Sequence, residues 1–219
     1  MKRKTKRRAQ KVYNSLLEMS ATSDPHGAEQ LNLHSIQNNS GGSGNRLKKF
    51  RFQLFHHWLV THFEPCRVAD IGGGKSLLSY LLQEDGWNAT VIDPVYQDLP
   101  HKYKNISSNK QVKIASTASV PHITSEFQPE MARNFDLLIG LHAHGVNIKI
   151  INAAAAYGTG FVLVPCCIID EPVYPRLGVS WLECLTDYAL RSGCKVQPFQ
   201  LKFSGQNIGI HTLSGPDLA

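Results

Sequence analysis

The sequence predicts an α/β fold with a doubly wound, mostly parallel seven-stranded sheet and an antiparallel C-terminal hairpin. From residue 46 onward, short apolar runs alternate with segments of helical period, a pattern typical of a sheet covered by helices on both faces. Residues 160–165 are almost wholly apolar, as in a strand buried on both sides. The final runs, 195–203 and 206–213, are joined by Ser204-Gly205, and this arrangement predicts the hairpin.

The other elements are predicted in chain order from periodicity and end signals. Leu, Phe and Trp side chains recur at helical spacing over residues 46–63, where Glu64-Pro65 ends the helix. Ser180 and Glu183 form a capping-box pattern that opens a late helix. Apolar runs predict four more strands, at residues 67–71, 88–93, 111–115 and 135–142, and the periodic segments between them predict helices at 75–85 and 148–157.

Positive charge is concentrated near the beginning of the chain. The net charge is +6, and seven of the first eleven residues are Lys or Arg. A polar stretch rich in Gly and Ser follows, and then a second basic cluster, made of Arg46, Lys48, Lys49 and Arg51. We therefore divide the chain into a basic, flexible N-terminal arm and linker (1–45), with a short helix within residues 1–20, and a folded domain (46–219). Two basic patches beside one domain favour RNA as a partner, although a solvated tail has the same composition.

Composition excludes several other classes of protein. No apolar run approaches the roughly 20 residues that span a bilayer, so no membrane partner is expected. The basic start lacks an apolar segment, unlike a secretory signal. The five cysteines are irregularly spaced, which favours reduced thiols over a disulfide framework. A cytoplasmic location is the corresponding expectation.

A glycine-rich turn at residues 72–74 follows the first strand and predicts a nucleotide site. The string 69–76 also fits a loose phosphate-loop pattern, but its first residues belong to the strand itself. A dinucleotide site would explain Asp93, about 20 residues on. However, Leu77 stands where that site needs a third small residue, and nothing further along indicates hydride chemistry.

Carboxylates before the glycines and after the second strand favour a third ligand, S-adenosylmethionine (SAM). Asp70 would suit its cationic groups, and Asp93 would accept hydrogen bonds from its ribose hydroxyls. Residues 68–74 and 91–93 resemble motifs I and II of the class I SAM-dependent methyltransferases, and the resemblance extends from about residue 67 to the C-terminal hairpin. It implies SAM as cofactor, methyl transfer as activity, and a cofactor site formed by Asp70, Gly72, Gly73, Gly74, Asp93, Pro94 and His142.

Two segments after the fourth and fifth strands carry residues suited to chemistry. Residues 140–147 include His142 and His144, each suited to act as a general base. Residues 165–172 include Cys166, a candidate nucleophile or pocket residue, and Asp170, a candidate base; Glu171 is an equal candidate for binding an amine or for a plain loop acid. Two imidazoles and a thiolate would suit zinc, but adjacent cysteines on an extended chain point to opposite faces. We therefore predict no resident metal.

The positions of His142, Gly145, Cys166 and Cys167 resemble those in eukaryotic tRNA 2′-O-methyltransferases of the acceptor-stem type. We predict methyl transfer to an oxygen or nitrogen acceptor on RNA, either tRNA or rRNA. The alternatives left open are a methyltransferase for a small molecule or a protein, and a catalytically silent RNA-binding protein of the same fold.

Overall fold

The computed structural model describes residues 2–23 and 48–213. Within these ranges the α-helices are α1 (Lys2–Ser23), α2 (Arg51–His62), α3 (Leu77–Glu84), α4 (Asn147–Tyr157) and α5 (Trp181–Arg191), and two short 3-10 helices cover Lys48–Phe50 and Pro129–Asn134. The strands are β1 (Arg67–Ile71), β2 (Asn88–Ile92), β3 (Lys102–Lys104), β4 (Gln111–Lys113), β5 (His122–Ile123), β6 (Leu137–Leu141), β7 (Gly160–Val164), β8 (Val196–Gln200) and β9 (Ile208–Thr212). No described helix combines the length and apolar character that a membrane span requires.

Seven strands form the main sheet in the order β5-β2-β1-β6-β7-β9-β8. Neighbours from β5 to β7 pair in parallel, whereas β9 lies antiparallel between β7 and β8. The predicted fold class and C-terminal hairpin are therefore confirmed. Chain order reverses at β1, so the carboxyl ends of β1 and β6 open the crevice where such sheets bind ligands.

The prediction for the third sheet strand was wrong. Residues 111–115 were expected in the main sheet, but β4 pairs with β3 in a separate antiparallel hairpin. The short strand β5 instead occupies the edge beside β2. Neither Gln111 nor Lys113 is buried, and a strand without an apolar face gains little from packing inside a parallel sheet.

The core consists of two layers, one on each side of the main sheet. On one side α4 and α5 cover residues such as Ala69 and Leu138. On the other side α2 and α3 cover Val68, Leu137 and Ile139. Successive residues of β1 and β6 thus enter opposite layers, as the two-unit repeat of a strand requires. Helices on both faces explain why these strands read as continuous apolar runs.

Helix α1 differs from the expected flexible arm. It is 22 residues long and packs against α5 and β8. Leu16 is fully buried, and the Tyr13 hydroxyl lies 3.5 Å from the Pro198 carbonyl oxygen. One apolar face is enough to bury a helix against the domain despite its basic sequence. The rest of the predicted linker, together with Arg46, lies outside the described residues, as does the side chain of Lys48.

Candidate functional site

The glycine turn connects the end of β1 with two neighbouring segments. The Gly72 N–H donates to the Ile92 carbonyl at the end of β2, with an N···O distance of 2.9 Å. Gly72 has φ +70°, and a Cβ added there would lie 2.9 Å from the Ala143 Cβ. A residue larger than glycine would therefore be strained and would push away the loop that follows β6.

Asp70 lies beneath this turn. The residue is 2% exposed, and its Oδ2 accepts a 2.8 Å hydrogen bond from the Ser79 hydroxyl. A Cβ at Gly73 would meet the same Oδ2 at 2.7 Å. Burial raises the pKa of Asp70 to about 6, and the nearby Asp93 charge adds to that rise. The carboxylate thus supports the turn from inside, and its contact with the cofactor stays a prediction.

Asp93 fastens the turn to the end of β2. Its Oδ2 accepts the Gly74 N–H at 3.0 Å, and its Oδ1 accepts the Val95 N–H at 2.9 Å. Each carboxylate oxygen has two acceptor directions, so both oxygens retain capacity for the hydroxyls of a ribose. Pro94 follows directly and is exposed. The residues around the turn thus fit a nucleoside with a free diol.

A phosphate loop is excluded by the course of the chain. Ala69, Asp70 and Ile71, the first residues of the phosphate-loop string, lie in β1 and not in a loop. Helix α3 begins only at Leu77, after Ser76 in a left-handed conformation with φ +58°. The backbone N–H groups that would surround a polyphosphate are therefore replaced by strand hydrogen bonds.

The loops after β6 and β7 contact each other, as their common edge of the sheet predicts. The Gly145 N–H donates to the Ile169 carbonyl at 3.0 Å, and a Cβ at Gly145 would lie 2.9 Å from the Asp170 Cβ. Asp170 is exposed and has φ +59°. The two sequence segments singled out for chemistry are thus brought together.

Glu171 holds this junction, a role that the sequence did not reveal. It is 3% exposed and accepts from the Asn147 N–H, the Asn147 side-chain amide and the Ile148 N–H, at 2.9, 2.6 and 3.2 Å. These donors are at the N-terminus of α4, where a carboxylate also meets the positive end of the helix dipole. A cap supplied from 24 residues away leaves no local motif.

His142 faces the loop between β8 and β9. It has φ +58°, and its Nε2 lies 2.8 Å from the Gln206 carbonyl oxygen. Because a carbonyl only accepts, Nε2 carries a proton in this contact. Any base catalysis by neutral His142 would then use Nδ1.

His144 has different partners from His142. Its Nε2 lies 3.1 Å from the Cys166 Sγ, which is in turn 3.4 Å from the Cys167 Sγ. The expectation that the adjacent cysteines point apart was wrong, because β7 ends at Val164 and the pleat does not continue. Burial and the neighbouring Cys167 raise the pKa of the Cys166 thiol to about 11. A thiol protonated at neutral pH is a poor covalent nucleophile.

A cleft opens beside Cys166, between α1 and the carboxyl end of the sheet. It encloses about 530 Å³, and we call it the α1 cleft. Arg8, Ala9 and Val12 line it from the helix, and Trp181 lines it from α5. Residues 205–208 also line it. The exposed Tyr174, a second aromatic of this region, is not part of the lining.

No family model matches the chain. A curated protein from Caenorhabditis elegans, named as a probable tRNA (uracil-O(2)-)-methyltransferase, is 31% identical over 106 residues, covering 48% of this chain. The aligned part spans only 18% of that relative.

Three solved structures are similar in part to this chain. DesVI from Streptomyces venezuelae has a TM-score of 0.47 at 9% identity, covering 77% of this chain and 93% of that one. The ribosomal protein L11 methylase from Lactobacillus delbrueckii scores 0.44 at 14%, covering 77% and 79%. Magnesium protoporphyrin IX methyltransferase from Synechocystis scores 0.44 at 13%, covering 80% and 85%. TM-scores of this size carry no weight in the assignment.

The assignment depends on this chain's own sheet and on the curated relative. Seven strands with an antiparallel strand next to the edge, a glycine turn after β1 and an acid after β2 agree with the motif resemblance. The relative matches over 106 residues and is named as a methyltransferase. The chain therefore has a doubly wound, mostly parallel α/β fold, and part of its sequence is similar to a protein named as a methyltransferase.

Proposed function

We propose that the protein is a SAM-dependent methyltransferase that transfers a methyl group to an oxygen or nitrogen atom on RNA. The observation that carries the proposal is the Asp93 carboxylate, bonded to the Gly74 N–H at the carboxyl end of β2. Asp93 can accept hydrogen bonds from a ribose and lies at a tight glycine turn. The residues before that turn form a strand and not a phosphate loop. The similarity to the nematode protein, named as a probable tRNA methyltransferase, supports both the reaction class and the RNA substrate.

In this proposal SAM supplies an electrophilic methyl group, and the chain supplies binding and position. Asp93 accepts from the ribose diol, and the backbone of the glycine turn approaches the cofactor closely because Gly72 and Gly74 have positive φ. Asp70 keeps the turn in shape through Ser79 and Gly73. Correct placement of the two reactants provides most of the rate in such a transfer.

The acceptor reaches the site through the α1 cleft. Cys166 lines the cleft and contacts the loop that carries His142 and His144. Trp181 offers a flat apolar surface for a base, and Arg8 offers a cation for a phosphate. His144 is exposed and is our candidate for receiving the acceptor's proton.

The lysine-rich hairpin β3–β4 supports a nucleic-acid substrate. Residues 101–113 contain four lysines, at 102, 104, 110 and 113, and no acidic side chain. Arg7, Arg8 and Lys11 on α1 are also exposed. Two basic surfaces on elements of fixed position are suited to a phosphate backbone.

Calorimetry with SAM and with ATP tests the cofactor. We expect SAM to bind and ATP not to bind. Asp93→Ala should weaken SAM at least tenfold, because a buried diol loses its acceptor. Asp187→Ala, a change in an exposed α5 ion pair, is the matched control. Absence of SAM binding at submillimolar concentration would overturn the proposal.

Incubation of the protein with methyl-labelled SAM and total RNA tests the substrate. Label in a discrete RNA species supports RNA methylation, and digestion to nucleosides identifies the acceptor atom. Label in protein or small molecules instead would favour the alternative methyltransferases. SAM binding and RNA binding without any transfer would favour a silent RNA-binding protein.

A further inference from the structure

Three potential metal ligands converge beside the α1 cleft. The ligating atoms of His144, Cys166 and Cys167 all lie within 4.8 Å of one another. The two closest separations are 3.1 Å, between His144 Nε2 and Cys166 Sγ, and 3.4 Å, between the two sulfurs. The other three cysteines, at 66, 184 and 194, are not members of this cluster.

The separations are close to those of a tetrahedral zinc site. Zn–S bonds of about 2.3 Å and Zn–N bonds of about 2.0–2.1 Å place ligand atoms roughly 3.5–3.8 Å apart. The three side chains need to move by about an ångström or less to reach that geometry. Two thiolates with an imidazole are soft ligands that select zinc over magnesium or calcium.

The backbone around the cluster holds the ligands together without a metal. His142 N–H donates to the Val164 carbonyl at 2.9 Å, which joins the ends of β6 and β7. The Cys166 Sγ also lies 3.7 Å from the His142 carbonyl oxygen. Glu171, in the loop after β7, also accepts hydrogen bonds from the Asn147 and Ile148 N–H groups that follow the loop after β6. Ligands that are already gathered cost less conformational entropy on binding.

Within the described residues no fourth His, Cys, Asp or Glu joins the cluster. Three protein ligands and one open position are the usual arrangement of a catalytic zinc site. Cys166 belongs to the lining of the α1 cleft, so the open position would face a space that a ligand can enter. A hydroxyl oxygen or water would complete the coordination.

We propose that His144, Cys166 and Cys167 bind one zinc ion whose fourth coordination position opens to the α1 cleft. The zinc site goes beyond methyl transfer and does not depend on SAM binding. Zinc on His144 would occupy the nitrogen lone pair that a base needs, so His144 acts as the proposed base only in the metal-free protein. Loss of SAM binding would leave the metal proposal intact, and loss of metal binding would leave the SAM proposal intact.

Cobalt titration of the reduced full-length chain tests the site. Co²⁺ bound by two thiolates and an imidazole gives a thiolate charge-transfer band and the intense visible bands of tetrahedral coordination. We expect one equivalent of cobalt to bind and zinc to displace it. His144→Gln, Cys166→Ser and Cys167→Ser should each weaken binding about 100-fold or more, since loss of even an outer partner costs 10–100-fold.

Cys184→Ser is the matched control, because this thiol lies on α5 outside the cluster. It should bind cobalt like the unaltered chain. His144 is exposed, so His144→Gln should fold normally, and circular dichroism checks this. An octahedral cobalt spectrum, no charge-transfer band, or equal affinity in His144→Gln and the unaltered chain would overturn the proposal.

Discussion

The buried Asp70 and the half-buried His211 shift stability in opposite directions as pH changes. Burial raises the pKa of Asp70 to about 6, so stability falls as pH rises from about 4 to about 6. Burial lowers the pKa of His211 to about 4, so stability rises from about 4 to 6.5. His211 lies against the rings of Trp58, Phe63 and Phe199. The two effects largely offset each other within one window of pH.

Removing either ionisable group should reveal the effect of the other on the pH dependence of stability. Asp70→Asn should make stability rise with pH between about 4 and 6.5, and His211→Asn should make it fall between about 4 and 6. The changes should reach about 3 kcal/mol, at 1.36 kcal/mol for each unit of pKa shift. Urea denaturation across that range measures both slopes. Identical pH profiles for the two variants would contradict the assignment.

A small substitution at Glu171 should have a large effect on the free energy of unfolding. Glu171→Gln removes a buried charge that accepts three hydrogen bonds at the N-terminus of α4. We expect a loss of about 2–3 kcal/mol in the free energy of unfolding. Glu126→Gln is the control: the Glu126 side chain is 69% exposed and pairs with Lys149 at 3.3 Å, so less than about 1 kcal/mol should be lost. Equal losses would refute the capping role.

At the scale of elements, α1 behaves as part of the domain. Leu16 of α1 is fully buried, whereas its neighbour Leu17 is 43% exposed. Leu16→Ala should destabilise the protein by about 2–5 kcal/mol, as do other truncations in a packed core. Leu17→Ala should cost much less. Chemical denaturation compares them, and a similar small loss for both would mean that α1 contributes little.

The β3–β4 hairpin predicts the salt dependence of RNA binding. Lys102→Gln with Lys113→Gln should weaken RNA binding for all sequences alike. It should also lower the slope of log affinity against log salt by up to about 0.7–0.9 for each lost phosphate contact. Lys149→Gln on α4 is the control. Filter binding at several salt concentrations measures the slopes, and an unchanged slope would remove the hairpin from the RNA surface.

At the scale of the whole molecule, a bound cofactor should raise stability by mass action. SAM at about 100 times its dissociation constant adds about 2.7 kcal/mol to the free energy of unfolding. The melting temperature should therefore rise with SAM in the unaltered chain and rise much less in Asp93→Ala. ATP should leave both unchanged. A rise with ATP but none with SAM would contradict the proposed site.

The sequence by itself determined the elements whose signals are local. The apolar run of β7, the glycine turn, and the Ser180–Glu183 capping box all fold as predicted. Strand periodicity, glycine conformation and capping depend on a few neighbouring residues, so they can be recognised without tertiary structure. The shared edge of the sheet also brought the 140–147 and 165–172 segments together as expected.

Only the tertiary structure decided what distant residues do to one another. The position of Asp70 beneath Gly73, and the pairing of β5 rather than β4 with β2, both depend on contacts between distant segments. Docking of α1 and capping by Glu171 join segments far apart in sequence. The meeting of His144, Cys166 and Cys167 depends on how two loops end their strands. Such contacts are long-range, and no local pattern encodes them.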